Sequence, residues 1–371
     1  MNFDINVLKN DEKAIFYLRS LYKKYGYSQY KMSKFEEYDL YVRNKDFLVS
    51  DNIITFTDTN GKLMALKPDV TLSIIKNSKD EKNTVQKVYY NENVYRVTNA
   101  AHSFKEIMQV GLECIGDIDT YNIYEVLFLA AKSLESISKD FVLDISHIGI
   151  VSSVIKSLDL SPEAQKKIME CIGEKNVHGI LNICNNEGKD AKNLVKLVSS
   201  YGTPKKVCDV LTKIATDETK DDINELLKIV DFLSQNGFGD KIHIDFSVVN
   251  DTKYYNGFVF KGFINGISSG ILSGGQYDKL MQKMGKKSKA IGFAVYLDML
   301  QRLSEDEKKY DVDAIILYDE KSDLKALADA VSLLCANGKS VTAQKQIPEK
   351  LKYKQLLKLQ ERGVEILENN A

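Results

Sequence analysis

The chain has 371 residues, 44% of them hydrophobic and 28% charged, enough to bury a sizeable core and to form two or three domains. Lys plus Arg (51) balances Asp plus Glu (52), so no global field draws the protein toward nucleic acid or a membrane surface. The cysteines (Cys114, Cys171, Cys184, Cys208 and Cys335) form no CxxC pair and no zinc-site spacing, which excludes a disulfide scaffold or a cysteine-held metal. The start, Met1-Asn2-Phe3-Asp4, is not a basic segment followed by an apolar one, and no apolar run approaches the ~20 residues that span a bilayer. These features predict a soluble, cytoplasmic protein with reduced thiols and no metal.

From the N-terminus, Ala14, Ile15, Leu18, Leu21 and Tyr22 recur at helical spacing over 12–25, and Gly26 closes the helix. An extended stretch, YKMSKFEEYDLYV, follows. Ile53 to Phe56 and Leu63 to Leu66 flank Asn60-Gly61 and read as a hairpin by turn chemistry. Lys67-Pro68-Asp69-Val70-Thr71 then opens a helix over 72–76. The Asp69 carboxylate there can accept from first-turn N–H groups, and such a segment is often no more than a helix start.

Val85 to Tyr95 and Glu106 to Ile115 predict two strands of a long hairpin, with Arg96 at the end of the first. Alternate side chains share a strand face, so Gln109, Gly111 and Glu113 point one way. The spacing fits a polar pocket with room cleared at Gly111, and equally a solvent-facing strand. Tyr121 to Ser138 predicts an amphipathic helix and Val142 to Ile148 another strand. Histidines 147, 178 and 243 have no carboxylates at metal spacing and read as packed or surface residues.

Periodicity is helical from Ile150 to about Gly239, predicting an insertion between strands of one sheet. Ile242 to Leu303 then runs strand, paired glycines, strand, helix. Within it Gly257 and Ser273-Gly274-Gly275 leave backbone open to a ligand. Beyond Asp311 the pattern predicts a small βαβαβ unit, with strands at 314–318, 340–343 and 364–366 and helices at 323–336 and 353–362.

The wording of Tyr254-Tyr255-x-Gly257-x-Val259-Phe260, Gly274-Gly275-x-Tyr277-Asp278 and Gly292-Phe293-Ala294 resembles the histidyl-tRNA synthetase family of class II synthetases. Lys67-Pro68-Asp69-Val70-Thr71 is similar to that family's segment for the amino group of histidine. Val94-Tyr95-Arg96 and Gln109-x-Gly111-x-Glu113 are similar to its motif 2 hairpin. The resemblance implies an α+β fold: a class II synthetase-like antiparallel sheet flanked by helices over 1–149 and 240–304. It adds a helical insertion over 150–239 and an abbreviated α/β domain over 311–371. It also implies a histidine site made by Asp69, Val70, Thr71, Arg96, Gln109, Glu113, Tyr254 and Tyr255.

Several of the family's catalytic arginines are replaced. Asn250 stands four residues before the tyrosine pair, Gln276 follows the paired glycines, and Met299 takes the motif 3 position, with Arg302 three residues on. The motif 2 loop offers Asn99, Ala100, His102 and Lys105. Adenylate formation builds negative charge on phosphate, and losing one fixed donor typically lowers the rate by ~10²–10³. A kept amino-acid pocket without those cations resembles the branch of regulatory subunits that accompany short-form ATP phosphoribosyltransferase. His147-x-Gly149, Lys175-Asn176 and Leu197-x-x-x-Tyr201-Gly202 are similar to landmarks of that branch. The resemblance implies a non-catalytic chain without cofactor or tRNA, dimeric within a hetero-octamer and conveying histidine inhibition. The alternatives are an active histidyl-tRNA synthetase and a paralogue with another binding role.

Overall fold

The computed structural model describes residues 8–48, 53–97, 103–249, 254–302, 309–360 and 363–370. It divides into two compact units, Met1–Leu303 and Ser304–Ala371. No helix among the described residues is long and apolar enough to cross a membrane.

The first unit opens with α1 (Asn10–Lys24), which buries Ala14, Leu18 and Tyr22 along one stripe; acidic side chains in its first turn and lysines in its last suit the helix dipole. After β1 (Ser28–Gln29) and β2 (Phe35–Glu37), the expected extended stretch turns into a short helix, α2 (Tyr38–Val42). Burial of Tyr41 and an Arg43–Asp39 ion pair one turn apart favour helix there over the strand pattern. The hairpin β3 (Thr55–Thr57) and β4 (Leu63–Leu66) forms as expected. Asp58 Oδ1 accepts from the N–H groups of Asn60 and Lys62, and Gly61 takes φ +79°. α3 (Thr71–Asn77) follows.

The long hairpin β5 (Val85–Val97) and β6 (Phe104–Gly116) leads into α4 (Thr120–Ile137), capped by Asp119, and β7 (Phe141–His147). Next come α5 (Ile148–Lys156), α6 (Pro162–Gly173), α7 (Val177–Asn186), α8 (Lys192–Ser199), β8 (Tyr201–Gly202), α9 (Pro204–Ile214) and α10 (Lys220–Leu233). Buried residues of these helices join the same apolar cluster as α1, α4 and one face of the sheet. β9 (Ile242–Asp245) is shorter than its alternating pattern suggests. Asp245 Oδ1 accepts from both the N–H and the hydroxyl of Ser247, which turns the chain. β10 (Phe258–Ile264), β11 (Leu272–Gln276), α11 (Asp278–Lys283) and β12 (Lys289–Tyr296) complete the layout, and a 3₁₀ segment Leu297–Arg302 replaces the expected helix.

Among the described residues nine strands form one sheet in the order β1-β5-β6-β12-β11-β10-β7-β9-β8, antiparallel except at β1/β5 and β7/β9. One face packs on α1 and α4. The other carries a second cluster built on Val70, Leu72, Tyr90, Tyr254 and Tyr277.

The second unit consists of β13 (Val312–Leu317), α12 (Leu324–Ala336), β14 (Val341–Gln344), β15 (Tyr353–Gln360) and β16 (Gly363–Asn369), in sheet order β14-β13-β15-β16. The expected second helix over 353–362 is strand β15 instead, and Arg362 lies outside the described residues. Tyr353–Gln360 pairs with β13 on one side and β16 on the other, with a bulge at Leu356/Leu357. That bulge lets two adjacent leucines both be buried, which in the sequence mimics a helical stripe.

Candidate functional site

Strand register lays the floor of the site. Tyr90, Gly111, Ala294, Ser273, Lys261, Asp144 and His243 are successive cross-strand neighbours on β5, β6, β12, β11, β10, β7 and β9. Ala294 and Ser273 near its centre border a cavity of about 540 Å³ above the sheet, all within the first unit. The eight residues expected to hold an amino acid, Asp69, Val70, Thr71, Arg96, Gln109, Glu113, Tyr254 and Tyr255, all line this one cavity.

At one end Glu113 is buried, 2% exposed, and takes two donated bonds: Thr71 Oγ1 to Oε1 at 2.9 Å and Tyr277 OH to Oε2 at 2.5 Å. Burial pushes its carboxyl up to about 8. The Asp69 charge adds to that rise, and the Tyr277 and Thr71 bonds oppose it. Asp69 Oδ1 accepts from the Leu72 N–H at 2.9 Å in the first turn of α3, as its place ahead of the helix predicts. Burial raises its carboxyl too, while the Arg96 charge holds it down. Arg96 Nε donates to the Pro68 carbonyl at 3.2 Å, so the hairpin arginine fixes the loop that carries Asp69.

Tyr254 and Tyr255 stack edge to face with centroids 4.7 Å apart, and Tyr277 lies 5.8 Å from Tyr254. Carboxyl groups, hydroxyls and a guanidinium thus surround an aromatic-walled volume suited to a small zwitterion with a polar ring.

The glycines act differently from the sequence reading. A Cβ on Gly111 would lie 2.4 Å from the Tyr90 hydroxyl, so its space is filled by a tyrosine and not left for a ligand. Likewise Gly257 makes room for Gln276, whose Oε1 accepts from the Phe258 N–H at 2.7 Å, and Gly275 makes room for the Tyr255 ring. Gly292, opposite Glu113, would place a Cβ 1.7 Å from Oε2. These close approaches hold the polar side chains in place.

Among the positions expected to have lost cations, Gln276 is 9% exposed and turned to backbone, and Met299 lines the cavity with a thioether near Ser269 Oγ. Lys105 is held by Asp298 at 2.6 Å. Asn250, Asn99, Ala100 and His102 lie outside the described residues, as does the side chain of Arg302. His147 is packed edge to face on Phe258, and burial lowers its pKa.

Sequence reasoning missed Tyr90, Tyr277 and the far end of the cavity, where Asp144, Lys175, Asp245 and Lys261 gather. The signals were present: Gly-Gly-x-Tyr-Asp for Tyr277, and an acid inside each of the apolar strands FVLDISH and IHIDF.

The family model described as histidyl-tRNA synthetase matches residues 7–300. The chain is 30% identical over 324 residues to the ATP phosphoribosyltransferase regulatory subunit of Caldanaerobacter subterraneus, covering 84% of each. With the regulatory subunit of Bacillus cereus it shares 27% over 339 residues, covering 87% of this chain and 80% of that one. In fold it matches a Bacillus halodurans structure described as ATP phosphoribosyltransferase regulatory subunit/histidyl-tRNA synthetase, with TM-score 0.73, 23% identity and coverage of 93% and 90%. A chain from the ATP phosphoribosyl transferase complex of Thermotoga maritima matches with TM-score 0.63 at 20% identity, covering 77% of this chain and 97% of that one. The chain therefore has the class II synthetase fold and belongs to the histidyl-tRNA synthetase family, alongside the regulatory subunits of ATP phosphoribosyltransferase.

Proposed function

We propose that this chain is a regulatory subunit of ATP phosphoribosyltransferase, the first enzyme of histidine biosynthesis, and that it has no synthetase activity of its own. The observation that carries the reading is a cavity whose acidic and tyrosine end is kept while its cationic positions are not. Glu113 is held by Thr71 and Tyr277, yet Gln276 is spent on a backbone N–H and Met299 lines the wall. Neither an amide turned to backbone nor a thioether stabilises charge developing on a phosphate.

In this reading the effector is histidine. Its ammonium meets Asp69, Thr71 and Gln109, its imidazole lies between Glu113 and Tyr254, and Arg96 takes its carboxylate through the N–H groups not used on Pro68. The subunit dimerises, assembles in the cytoplasm with a short-form catalytic subunit as a hetero-octamer, and passes histidine binding to that partner. A coupling of about 1–3 kcal/mol is the usual size for such a link.

Two assays on one preparation test this. Adding the chain to a short-form catalytic subunit is expected to raise phosphoribosyl-ATP formation and make it histidine-sensitive. The chain alone is expected to show no histidine-dependent pyrophosphate exchange. Exchange activity, or no gain in turnover on mixing, would overturn the reading.

A further inference from the structure

At the end of the cavity away from Glu113, Asp144 on β7 and Lys261 on β10 are directly paired in the antiparallel register. Opposite charges so placed usually meet, since their Cβ atoms are about 4.5–5.5 Å apart. Here they do not. The Lys261 stem runs across Gly270, where a Cβ would lie 2.6 Å from Cε, and its ammonium sits 5.7 Å from the centroid of the Phe263 ring.

Among the described residues Lys261 closes no ion pair. Asp144 is 6% exposed, and its Oδ1 has no hydrogen-bond partner among them. The nearest base, His243 Nδ1, is 3.8 Å away, engaged with the Tyr201 hydroxyl at 2.8 Å, and burial lowers its pKa. The neighbouring acid and base are satisfied. Asp245 takes Lys175 at 2.8 Å and both donors of Ser247.

A buried acceptor without a donor is costly, and a cation beside it without an anion is the complementary vacancy. A simple cation would face Lys261 and Lys175, and a simple anion would face Asp144 and Asp245. Only a ligand carrying both charges satisfies the two open groups together. The cavity volume of 540 Å³ is in the range that holds drug-sized molecules, so one amino acid at the Glu113 end leaves this end open.

The geometry points to a second subsite at this end for a free α-amino acid, its ammonium on Asp144 and its carboxylate on Lys261. The subsite does not rest on histidine occupying the Glu113 end. It reads the charged main-chain groups and places no specific partner around a side chain.

L-alanine is the probe, because it lacks a ring for the tyrosine-walled end. Calorimetric titration of the full chain is expected to show saturable alanine binding at millimolar concentration, which histidine displaces only at the millimolar concentrations that fill this subsite too, above those that fill the Glu113 end. Asp144→Asn and Lys261→Met, which keep shape and stem, are each expected to weaken it about tenfold or more, as loss of a charged hydrogen bond does. Glu113→Gln is expected to leave alanine binding alone while weakening histidine. Circular dichroism and thermal midpoints verify that each variant is folded. Absence of saturable binding, equal binding of acetate or methylamine, or loss in Glu113→Gln with none in the other two would each overturn the subsite. Histidine binding no tighter than alanine, and unaffected by Glu113→Gln, would overturn only the effector reading.

Discussion

Glu113 and Gly292 stand opposite each other on β6 and β12, and the carboxylate of one fills the volume that a side chain on the other would take. Gly292→Ala is therefore a test of the site that leaves its polar side chains unsubstituted. The new methyl would meet Glu113 Oε2 at 1.7 Å and the Leu112 carbonyl at 2.5 Å, so both strand and carboxylate must shift. The expected cost is about 1–3 kcal/mol of stability by denaturant titration, with loss of histidine binding by calorimetry.

Glu113 also sets a pH dependence. Burial keeps its proton on up to about 8 in the folded chain, against an ordinary 4.5. Between those values the folded state binds more protons than the unfolded one, so stability falls as pH rises through the window. Asp144, pushed up by burial to about 7, adds a change of the same sign. Glu113→Gln removes only the first. Its denaturation midpoint is expected to fall less than that of the unmodified chain between roughly pH 5 and pH 8.

Tyr277 supplies the shorter of the two bonds to Glu113 and opposes the rise in its pKa. Tyr277→Phe is expected to cost about 1–3 kcal/mol, because a buried acceptor loses its donor. It should also move the Glu113 titration to higher pH, read from the side-chain carboxyl carbon signal. An unchanged titration would separate the two residues energetically.

Gln276 holds the N–H of Phe258 inside the space opened by Gly257. Gln276→Leu leaves that N–H without an acceptor, and about 1–3 kcal/mol of destabilisation is expected on chemical unfolding. Gln276→Glu retains an acceptor, and its loss should be smaller at low pH, where the acid is neutral.

The Glu113 end of the site was legible because its parts are local. Asp69 and Thr71 belong to one helix start, and Gln109 and Glu113 share a strand parity that holds in any register. Tyr90 and Gly111 were not, since their meeting depends on the register of β5 against β6, and the sequence between the two strands carries no turn signature that fixes it. Asp144 and Lys261 are separated by the whole helical excursion, and only strand pairing brings them side by side. β15 misread for a related reason. Its bulged leucine pair has a helical look until a sheet partner on each side claims it. Local chemistry is written in spacing, whereas neighbours across a sheet are decided by topology.

The two-residue strand Tyr201–Gly202 gives the helical excursion a stake in the sheet. It borders β9, and Lys175 from the turn after α6 grips Asp245 at the same margin. Even the outward turn at Gly188, where a side chain would meet nothing within 4 Å, is tied in, because Glu187 beside it accepts from the N–H of Ser161 at the start of α6. Excising the whole excursion would strip β9 of its outer neighbour and release the acid that borders the cavity, so the graft and its host have become one load path.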